Sequence, residues 1–468
     1  MPKKYHISVQ PAPPRLYPVG KYTTIEFRED CAGSCKNCVK KRCVYNIFKE
    51  NYQHMSTMDE PTYLYNCKSC FRCVQECTKG IFSRVINPEY RSLGDEYWSP
   101  DILHRTWYQS HTGSIPVSGA GYRGPFVGKG FDSMWTDMSE IVRPTRDGIH
   151  GREYINTSVE LSRRPLRLEF NEDMTISGEV PPILEVPLPI LFEQPHFGIL
   201  NKGVLRSMVK AVDFIGSMMF IQIEDYTKEY LRYAKRLIPI VSRHNYENYE
   251  NIIQQSTMVE LSYQPNIETE FSKLRQIKND LFISVRIPLN ENSPDIALKL
   301  SYTDVDTLHF YADDHGMSLD TQRPRFIKEM IRDVHLKLVE QGVRQKLNLV
   351  FSGGIAMAEH VAKAIICGAD CVTINNSLLI AMECRMCYNC KAGLPCPAKL
   401  EEVKPEYGSQ RIVNLMGAWR NQLLEVMGAM GIREARRLRG EVGRSMWFED
   451  LEKENFGPIF GTRKVSFD

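Results

Sequence analysis

The chain has little net charge, no long apolar run and no recognisable targeting segment. Its 468 residues carry a formal net charge of +2, and no basic run with interleaved aromatic residues appears, so we expect no nucleic acid partner. The most apolar stretch, VPPILEVPLPILFEQP, is interrupted by prolines and glutamate and cannot span a membrane. Without a signal peptide, we expect a cytoplasmic, reducing location. The length predicts two to three domains.

Cysteine is the residue that the chain has in unusual number. Of the 14 cysteines, all but Cys367 and Cys371 fall into three tight runs. These two lie in an apolar stretch, ICGADCVTI, and are expected to be core thiols. The runs are Cys31, Cys35, Cys38 and Cys43; Cys67, Cys70, Cys73 and Cys77; and Cys384, Cys387, Cys390 and Cys396.

The middle run, C-x2-C-x2-C-x3-C, has the spacing of bacterial ferredoxins. A [4Fe–4S] cluster needs four thiolates, of which a tight turn supplies three and a more distant residue the fourth. The eight thiolates of the first two runs therefore predict two [4Fe–4S] clusters with crossed ligation. In this scheme Cys77 completes the triplet of the first run, and Cys43 completes the triplet of the second.

Two other uses of cysteine fit this pattern less well. Disulfides are disfavoured because a chain of ordinary globular composition in a reducing compartment has no need of them. Zinc is the stronger alternative, since C-x2-C pairs also make zinc ribbons. Zinc sites pair two such knuckles across a longer loop, whereas the run from Cys67 to Cys77 is a continuous triplet with one further cysteine.

The sequence divides into six segments. Residues 1–25 are proline-rich and predict an extended arm, and residues 26–100 are predicted to form a ferredoxin-like domain. Residues 101–180 form a glycine- and arginine-rich connecting segment with little helical or strand periodicity. Its literal G-x-G-x-x-G has flanking prolines and no βαβ context, so it is not a dinucleotide fingerprint. A barrel over residues 181–383, an iron–sulfur loop over 384–400 and a helical tail over 401–468 complete the chain.

Short apolar, β-rich runs alternate with helical patterns over most of the second half of the chain. Eight such runs separated by helices predict a (β/α)8 TIM barrel, an α/β fold. The predicted strands are PILFE (189–193), MMFIQI (218–223), LIPIV (237–241), MVELSY (258–263), LFISVRI (281–287), TLHFYA (307–312), LNLVFS (347–352) and CVTIN (371–375).

The loops after the last two predicted strands have the composition of a phosphate site. Ser352, Gly353 and Gly354 follow the seventh strand, and a helix is predicted from about residue 356. Adjacent glycines let backbone N–H groups approach a phosphate, and a helix N-terminus adds a favourable field. Asn376 and Ser377 follow the eighth strand and offer amide and hydroxyl donors. Next to iron–sulfur clusters, this pattern favours FMN, which converts an electron pair into single electrons.

Three segments carry a resemblance to a known family: SGAGYRGPFVGKGFDSMWTDMSEIVRPTRDGIHGREYINTS, FGILNKGVLRSMVKA and LVEQGVRQKLNLVFSGGIAMAEHVAKAIICGADCVTINNSLLIAMECRMC. The chain resembles the FMN-binding glutamate synthase-like proteins, in particular the archaeal-type form with an N-terminal ferredoxin-like domain. The resemblance implies an FMN-binding barrel, contacts to the cofactor from Phe197 and Gly198, and glutamate formation from 2-oxoglutarate and an ammonia source.

The resemblance also implies a cluster in the C-terminal cysteine run. The family's related cluster is often [3Fe–4S], with C-x5-C-x4-C spacing, and Cys384, Cys390 and Cys396 nearly fit that pattern. Cys387 offers a fourth ligand, so we expect [4Fe–4S], with [3Fe–4S] as the alternative.

Several loops depart from the family's pattern. Arg286 stands where a lysine typically lies near the flavin, and Ala312-Asp313-Asp314-His315-Gly316 replaces a glycine-rich G-G-T-G-A. We take Arg286, Asp313 and Asp314 as candidate catalytic residues. Arg286 would place positive charge beside the reduced flavin, or it would pair with Asp313 or Asp314. Both interpretations remain open.

Two hypotheses of different class follow. No N-terminal cysteine nucleophile is seen and no Rossmann segment occurs, so we expect a separate electron-donor protein (a ferredoxin or an NAD(P)H-oxidising subunit) and ammonia that is free or supplied by a glutaminase or another subunit. In the first hypothesis the chain reduces an imino or keto acid at FMN. In the second it is an electron-relay subunit of a larger anaerobic redox complex, with altered or lost flavin chemistry.

Overall fold

The computed structural model describes residues 5–16, 19, 23–27, 35–36, 38, 43–45, 70–115, 130–136, 155–164, 168–177, 181–242, 245–320 and 322–461. Of the predicted iron ligands, Cys31 and Cys67 lie outside the described residues. The glycines of the G-x-G-x-x-G match lie outside them as well.

Two antiparallel strands frame the N-terminal cysteine runs. Strand β1 (Thr23–Phe27) precedes both runs, and helix α1 (Arg72–Glu76) lies within the second. Strand β2 (Phe82–Ile86) follows the runs and pairs with β1 in a continuous antiparallel register. This pairing brings together the two ends of the segment that carries eight of the cysteines. A short helix, α2 (Pro88–Arg91), comes next.

A helix that the sequence did not indicate lies at the start of the predicted connecting segment. Helix α3 (Pro100–Thr112) begins with proline at its first position and ends at Gly113 in the left-handed conformation. Its buried face includes the polar side chains of Thr106, Gln109 and Ser110. Because polar residues occupy that face, the helix carries no clear apolar periodicity, and the prediction of little helical structure is wrong for these residues.

Five short strands lie between α3 and the barrel. Strand β4 pairs with β7, and β5 pairs with β6, both antiparallel. Their bounds are β3 (Met134–Thr136), β4 (Val159–Glu160), β5 (Glu169–Phe170), β6 (Ile176–Ser177) and β7 (Glu185–Val186).

Eight parallel strands close into a barrel, which confirms the predicted TIM-barrel fold. Their order is β10-β11-β12-β13-β14-β15-β8-β9, and each pairs with its neighbours in sequence. Every bound lies within one residue of the predicted one. The strands are β8 (Ile190–Glu193), β9 (Met219–Gln222), β10 (Leu237–Val241), β11 (Met258–Ser262), β12 (Phe282–Pro288), β13 (Thr307–Tyr311), β14 (Asn348–Ser352) and β15 (Cys371–Ile374).

Helices cover the outside of the barrel. Cys367 and Cys371 are fully buried between the barrel and these helices, as expected of core thiols. The α-helices are α4 (Lys202–Ile215), α5 (Glu250–Gln255), α6 (Glu268–Ile277), α7 (Ser293–Leu300), α8 (Ile327–Glu340), α9 (Ala358–Cys367) and α10 (Asn376–Ala381). 3-10 helices occur at Gly130–Ser133, Ile223–Asp225, Lys228–Arg236, Tyr246–Tyr249, Asn389–Ala392, Leu400–Glu402, Ala435–Leu438 and Val442–Arg444.

The tail is dominated by one long helix, α11 (Pro405–Ala429), which packs against α3 and α4. Strand β16 (Ser445–Trp447) then pairs antiparallel with β3. The chain ends in α12 (Phe448–Leu451), a π-helix at Glu452–Phe456 and α13 (Gly457–Phe460). Within the described residues, no helix has the length and apolar character needed to cross a bilayer.

The proline-rich arm lies without regular secondary structure over α3 and α11. The side chain of Asn414 on α11 holds Gln10 by both its amide atoms: Gln10 N–H donates to Oδ1 at 3.1 Å, and Nδ2 donates to the Gln10 carbonyl at 2.7 Å. Further along the arm, Arg15 donates from its backbone N–H and Nε to the two carboxylate oxygens of Glu383. The arm is thereby tied to the residue that precedes the C-terminal cysteine run.

Candidate functional site

Four charged or titratable side chains lie inside the barrel: Glu193 on β8, Glu260 on β11, Arg286 on β12 and His309 on β13. TIM-barrel interiors are usually packed with branched apolar residues. Here Arg286 Nη2 lies 2.5 Å from Glu193 Oε1, and Arg286 Nη1 lies 3.5 Å from Glu260 Oε2. His309 Nδ1 lies 2.8 Å from Glu260 Oε1. We call these four side chains the barrel cluster.

The barrel cluster excludes one of the two interpretations of Arg286. Its ion pairs are with Glu193 and Glu260, so the predicted alternative of a pair with Asp313 or Asp314 is wrong. No local pattern indicates these partners, because each glutamate lies on a different strand and only barrel closure brings them to Arg286. The guanidinium also stacks on Tyr311, with Cζ 4.4 Å from the ring centroid.

Burial and charge pairing act in opposite directions on the ionisation of the barrel cluster. Burial alone would raise the pKa of Glu193, but Arg286, His309 and His196 more than offset that effect and lower the pKa to about 2. The pKa of Arg286 is raised, because Glu193 and Glu260 outweigh its burial. Glu193 and Arg286 are therefore held as a charged pair inside the barrel.

Hydroxyl groups satisfy part of the barrel cluster, and one ring nitrogen has no partner. Thr373 Oγ1 donates to Glu193 Oε2 at 2.9 Å, and Ser284 Oγ donates to Glu260 Oε1 at 3.0 Å. His309 stacks on Phe220 with ring centroids 4.6 Å apart. Its Nε2 is buried and finds no hydrogen-bond partner among the described residues.

The loop after β14 contains two glycines at positions where the backbone conformation and the close packing both disfavour a larger residue. Gly353 has a φ of 102° and Gly354 a φ of 67°, a region that L side chains rarely adopt. A Cβ on Gly353 would lie 2.5 Å from the Asp313 carbonyl, and one on Gly354 would lie 2.7 Å from Gly316 Cα. The glycine pair therefore lets this loop pack directly against the loop after β13.

The same loop offers backbone donors. Gly353, Gly354 and Ile355 are buried, and within the described part of the chain no acceptor takes their N–H groups. Buried N–H groups are normally paired, so three adjacent free donors suit an anionic oxygen. Helix α9 begins at Ala358, two residues later than predicted, and the Ala356 N–H donates to His360 Nδ1 at 3.2 Å.

The loop after β15 faces this donor set. Asn376 opens α10, and its Nδ2 donates to Asp314 Oδ1 at 3.2 Å, while its own Oδ1 is buried with no partner in the described residues. Ser377 donates its hydroxyl to the Ile355 carbonyl at 3.1 Å. Ser352 is buried at the end of β14, where its carbonyl accepts from Ala312 N–H. Ser352, Gly353, Gly354, Asn376 and Ser377 are thus brought together, as the sequence suggested.

The two candidate aspartates have different roles. Asp313 Oδ1 accepts from the N–H groups of His315 and Met317 at 2.9 and 2.8 Å, so its side chain holds the shape of its own loop. Asp314 places its carboxylate on Asn376, beside the glycine loop. Of the pair, only Asp314 is joined to the loop after β15.

The C-terminal cysteines converge on one pocket beside the barrel mouth. Cys384, Cys387, Cys390 and Cys396 line it together with Phe197 and Gly198, which belong to the loop after β8. The Phe197 ring packs against Tyr388 with centroids 5.2 Å apart, and Lys391 Nζ lies 4.6 Å from the Phe197 centroid. Four sulfurs that surround a pocket suit a [4Fe–4S] cluster, in which each iron takes one thiolate.

The backbone around these cysteines is sharply turned. Glu383, Met386 and Tyr388 have positive φ values of 80°, 50° and 56°, which are uncommon for residues other than glycine. The Met386 N–H donates to Cys384 Sγ at 3.5 Å. Burial raises the pKa of Cys384 to about 12, and the other three thiols add to that effect. Bound iron would supply the positive charge that a thiolate needs here.

No group of three or more His, Cys, Asp or Glu side chains in the described ranges converges tightly enough for a single metal ion. The four sulfurs that bind a [4Fe–4S] cluster surround a group larger than a single metal ion, so they need not converge as tightly. For the first two runs, the described Cys35, Cys38, Cys43, Cys70, Cys73 and Cys77 form no disulfide with one another. Their ligation stays a prediction.

Sequence reasoning missed a residue that joins the cysteine loop to the barrel mouth. Asp95 accepts from Tyr388 Oη at 2.7 Å and lies 2.9 Å from His315 Nε2. The N–H groups of Tyr97 and Trp98 donate to its other oxygen at 2.8 and 2.7 Å. The pattern Asp-x-Tyr-Trp is that of an Asx turn, which is the only signal that the sequence offered.

The residues after Asp95 extend the connection. Tyr97 donates its hydroxyl to the Gly354 carbonyl, and Trp98 Nε1 donates to the Asp314 carbonyl at 2.9 Å. The hydrogen bonds and coulombic influence of Tyr388 and His315 outweigh burial and lower the pKa of Asp95. One short segment thus connects the cysteine loop, the loop after β13 and the glycine loop.

Comparison with known proteins fits this arrangement. Residues 235–433 match the family described as the conserved region in glutamate synthase. An archaeal-type glutamate synthase [NADPH] from Dehalococcoides mccartyi is 23% identical over 88% of this chain and 92% of its own length. An archaeal glutamate synthase [NADPH] from Archaeoglobus fulgidus is 24% identical over 92% and 96%.

The two relatives match over nearly the whole chain, and the family model matches its second half. The resemblance to the archaeal-type form of the glutamate synthase-like proteins is confirmed, and it supports an oxidoreductase of that kind. Among solved structures, a mutant of flavocytochrome b2 with pyruvate bound covers 81% of this chain and 88% of its own, at 11% identity and a TM-score of 0.42. That likeness is too weak to carry an argument.

Proposed function

We propose that the chain is an iron–sulfur flavoprotein that passes electrons from [4Fe–4S] clusters to FMN and reduces an imino acid, forming glutamate from 2-oxoglutarate and an ammonia source. The observation that carries the proposal is the shared wall between the cysteine pocket and the barrel mouth. Phe197 and Gly198 lie in the loop after the first barrel strand, β8, and line the same pocket as the four C-terminal cysteines. A cluster bound in that pocket would lie beside the loops where TIM-barrel enzymes carry out their chemistry.

The residues at the barrel mouth fit FMN. Its phosphate would take the free N–H groups of Gly353, Gly354 and Ile355, at the positive end of α9. The unpaired Oδ1 of Asn376 suits a hydroxyl or N–H donor of the same molecule. When bound, FMN supplies the conversion between single electrons and electron pairs.

The protein's own groups then position and insulate the site. Tyr97 and Trp98 hold the carbonyl groups of the two loops that flank the phosphate donors. Asp95 fixes Tyr388, which packs on Phe197 beside the cysteines. These contacts keep the cysteine pocket and the barrel mouth in a constant arrangement, which electron transfer requires of its two ends.

The electron source is proposed to be a separate protein. The relatives are named as NADPH enzymes, but this sequence has no Rossmann segment. A ferredoxin or an NAD(P)H-oxidising subunit would therefore deliver electrons to the N-terminal clusters. Ammonia would come free or from a glutaminase or another subunit.

An anaerobic assay tests the proposal. The full-length protein is mixed with dithionite-reduced methyl viologen, 2-oxoglutarate and 15N-ammonium, and labelled glutamate is measured by mass spectrometry. We expect label in glutamate only when all three are present, and at least a tenfold loss in Cys390→Ser. An active holoprotein that makes no labelled glutamate contradicts the reaction.

A second candidate, an electron-relay subunit of a larger redox complex, is favoured by one observation. Arg286 is engaged by two glutamates, so its charge is already neutralised where a reduced flavin would need a cation. A relay would oxidise reduced viologen and pass the electrons to an added acceptor protein while forming no glutamate. The labelled assay separates these two outcomes.

A further inference from the structure

A second cavity lies beneath the N-terminal arm, next to the C-terminal cysteine pocket. The arm contributes Pro14, Leu16 and Val19, and helix α3 contributes His104 and Trp107. The cavity has a volume of about 190 Å³. Since about 10–15 Å³ of such volume suffices for one water, the cavity has room for several waters or a small organic molecule.

Two polar groups in this cavity are buried and unsatisfied. His104 Nε2 and Trp107 Nε1 are buried with no hydrogen-bond partner in the described part of the chain. The indole N–H can only donate, and a buried donor without a partner is unfavourable. An acceptor atom inside the cavity would remove that cost.

The cavity also carries an excess of positive charge. Arg411 is 1% exposed, and its guanidinium donates to the carbonyl groups of Ala381, Ala12 and Trp107, at 2.5, 2.8 and 3.3 Å, and also contacts Tyr407. No carboxylate of the described residues lies within ion-pair distance of it. Buried charges are normally paired, so this arginine indicates a missing anion.

The nearby acidic group does not supply that anion. Glu383 lines the cavity, but both its oxygens are taken by Arg15. Arg385 also lines the cavity, and its side chain forms no ion pair with any described residue. One bound carboxylate between Arg385 and Arg411 would therefore offset part of the positive charge and accept from the indole at the same time.

We infer that this cavity is a binding site for a small organic carboxylate, with its anionic end at Arg385, Arg411 and Trp107 Nε1. The apolar body would lie against Pro14, Leu16 and Val19 of the arm. Arg385 lines the C-terminal cysteine pocket as well, so the bound anion would sit next to the proposed cluster. The binding itself does not depend on that cluster or on FMN.

Calorimetric titration of the anaerobically purified full-length protein with benzoate tests the site. Benzamide has nearly the same shape without the charge and serves as the comparison ligand. We expect one benzoate per chain, with benzamide at least tenfold weaker. Equal affinity for the two ligands, or no binding of benzoate, acetate or 2-oxoglutarate, would overturn the inference.

Two variants locate the binding. Trp107→Phe keeps an aromatic ring, although a smaller one, and removes the N–H, and Arg385→Gln removes the charge; each should weaken benzoate binding about tenfold. Arg437→Gln is the matched control, because that side chain is 73% exposed and pairs with Glu434. This variant should bind benzoate as tightly as the native protein does. Unchanged affinity in both cavity variants, with native thermal stability, would place the benzoate elsewhere and sink the proposal.

Discussion

At the scale of single residues, Arg286 carries more structural weight than the sequence suggests. It lies between two buried glutamates, and removing one partner of a buried ion pair costs about 3–5 kcal/mol because a charge is left uncompensated. We expect Arg286→Met to lower the free energy of unfolding by about that amount, measured by anaerobic urea denaturation.

The exposed pair of Arg206 and Glu229 provides the control for this variant. Its side chains are 47% and 30% exposed, and such pairs contribute about 0–1 kcal/mol. Arg206→Met should therefore be nearly neutral. If Arg286→Met were as stable as Arg206→Met, the barrel cluster would not be a charged network.

Glu193 makes the free energy of unfolding depend on pH in the acid range. Its pKa in the folded protein is about 2, below the ordinary 4.5. Between those values the unfolded chain binds a proton that the folded chain does not, so the stabilisation is complete above about pH 4.5 and is lost as the pH falls toward 2. We expect Glu193→Gln to flatten the dependence of the unfolding free energy on pH between about 5 and 3. An identical slope in the two proteins would show that Glu193 is not ionised by its neighbours.

At the scale of elements, the glycine loop limits which variants are informative. A side chain on Gly354 would collide with Gly316, so a carboxylate placed there would disturb packing as well as any bound phosphate. Asn376→Asp keeps the shape of the side chain while adding a negative charge beside the same donors.

We expect Asn376→Asp to weaken FMN binding at least tenfold while the iron content stays unchanged. Repulsion from the phosphate and from Asp314, which now accepts from Asn376 Nδ2, is the physical reason. FMN fluorescence in equilibrium dialysis gives the affinity. Native affinity in this variant would move the phosphate away from the loops after β14 and β15.

The cysteine loop makes a separate prediction about cluster type. Cys387 lines the same pocket as the other three thiols, so we expect a [4Fe–4S] cluster in which it holds one iron. Cys387→Ala should lose about one iron per chain and show a new [3Fe–4S] resonance by electron paramagnetic resonance. If the native protein already shows that resonance and the variant leaves it unchanged, three cysteines suffice and Cys387 is not a ligand.

The elements also show how far the sequence predicts the fold. All eight barrel strands are mostly apolar and largely buried, so their runs stand out, and each predicted bound lies within one residue of the observed one. Helix α3 was missed because Gln109 and Ser110 on its buried face bond to α11, Gln109 through Trp419 Nε1 and Ser110 through its carbonyl. A polar face of this kind can be recognised as a packing face only when its partner helix is known.

The site was predicted in part for a similar reason. Loops next to each other in strand order, such as those carrying Gly353 and Asn376, converge by the geometry of any TIM barrel. Glu193 and Glu260 appeared as isolated acidic residues in apolar runs, and Asp95 lies more than 200 residues from its partner His315. Such contacts depend on register and closure, which no local pattern records.

At the scale of the whole molecule, the arm, α3 and α11 join the cysteine loop to the outside of the barrel. Arg15 donates to the carboxylate of Glu383, the residue before Cys384. Arg411 donates to the carbonyl of Ala381, slightly further upstream. On the other side Asp95 holds Tyr388. The cysteine loop is therefore fixed from two directions, which suits a loop that passes electrons to a neighbouring site.

The central claim, that cluster and flavin chemistry meet in one chain, is tested most directly by composition. Iron, sulfide, zinc and FMN are quantified per chain after anaerobic purification and reconstitution with excess FMN. We expect about 12 iron and about 12 sulfide, as three [4Fe–4S] clusters require, together with one FMN. Stoichiometric zinc in place of iron, or a fully iron-loaded chain that binds no FMN, would contradict the account.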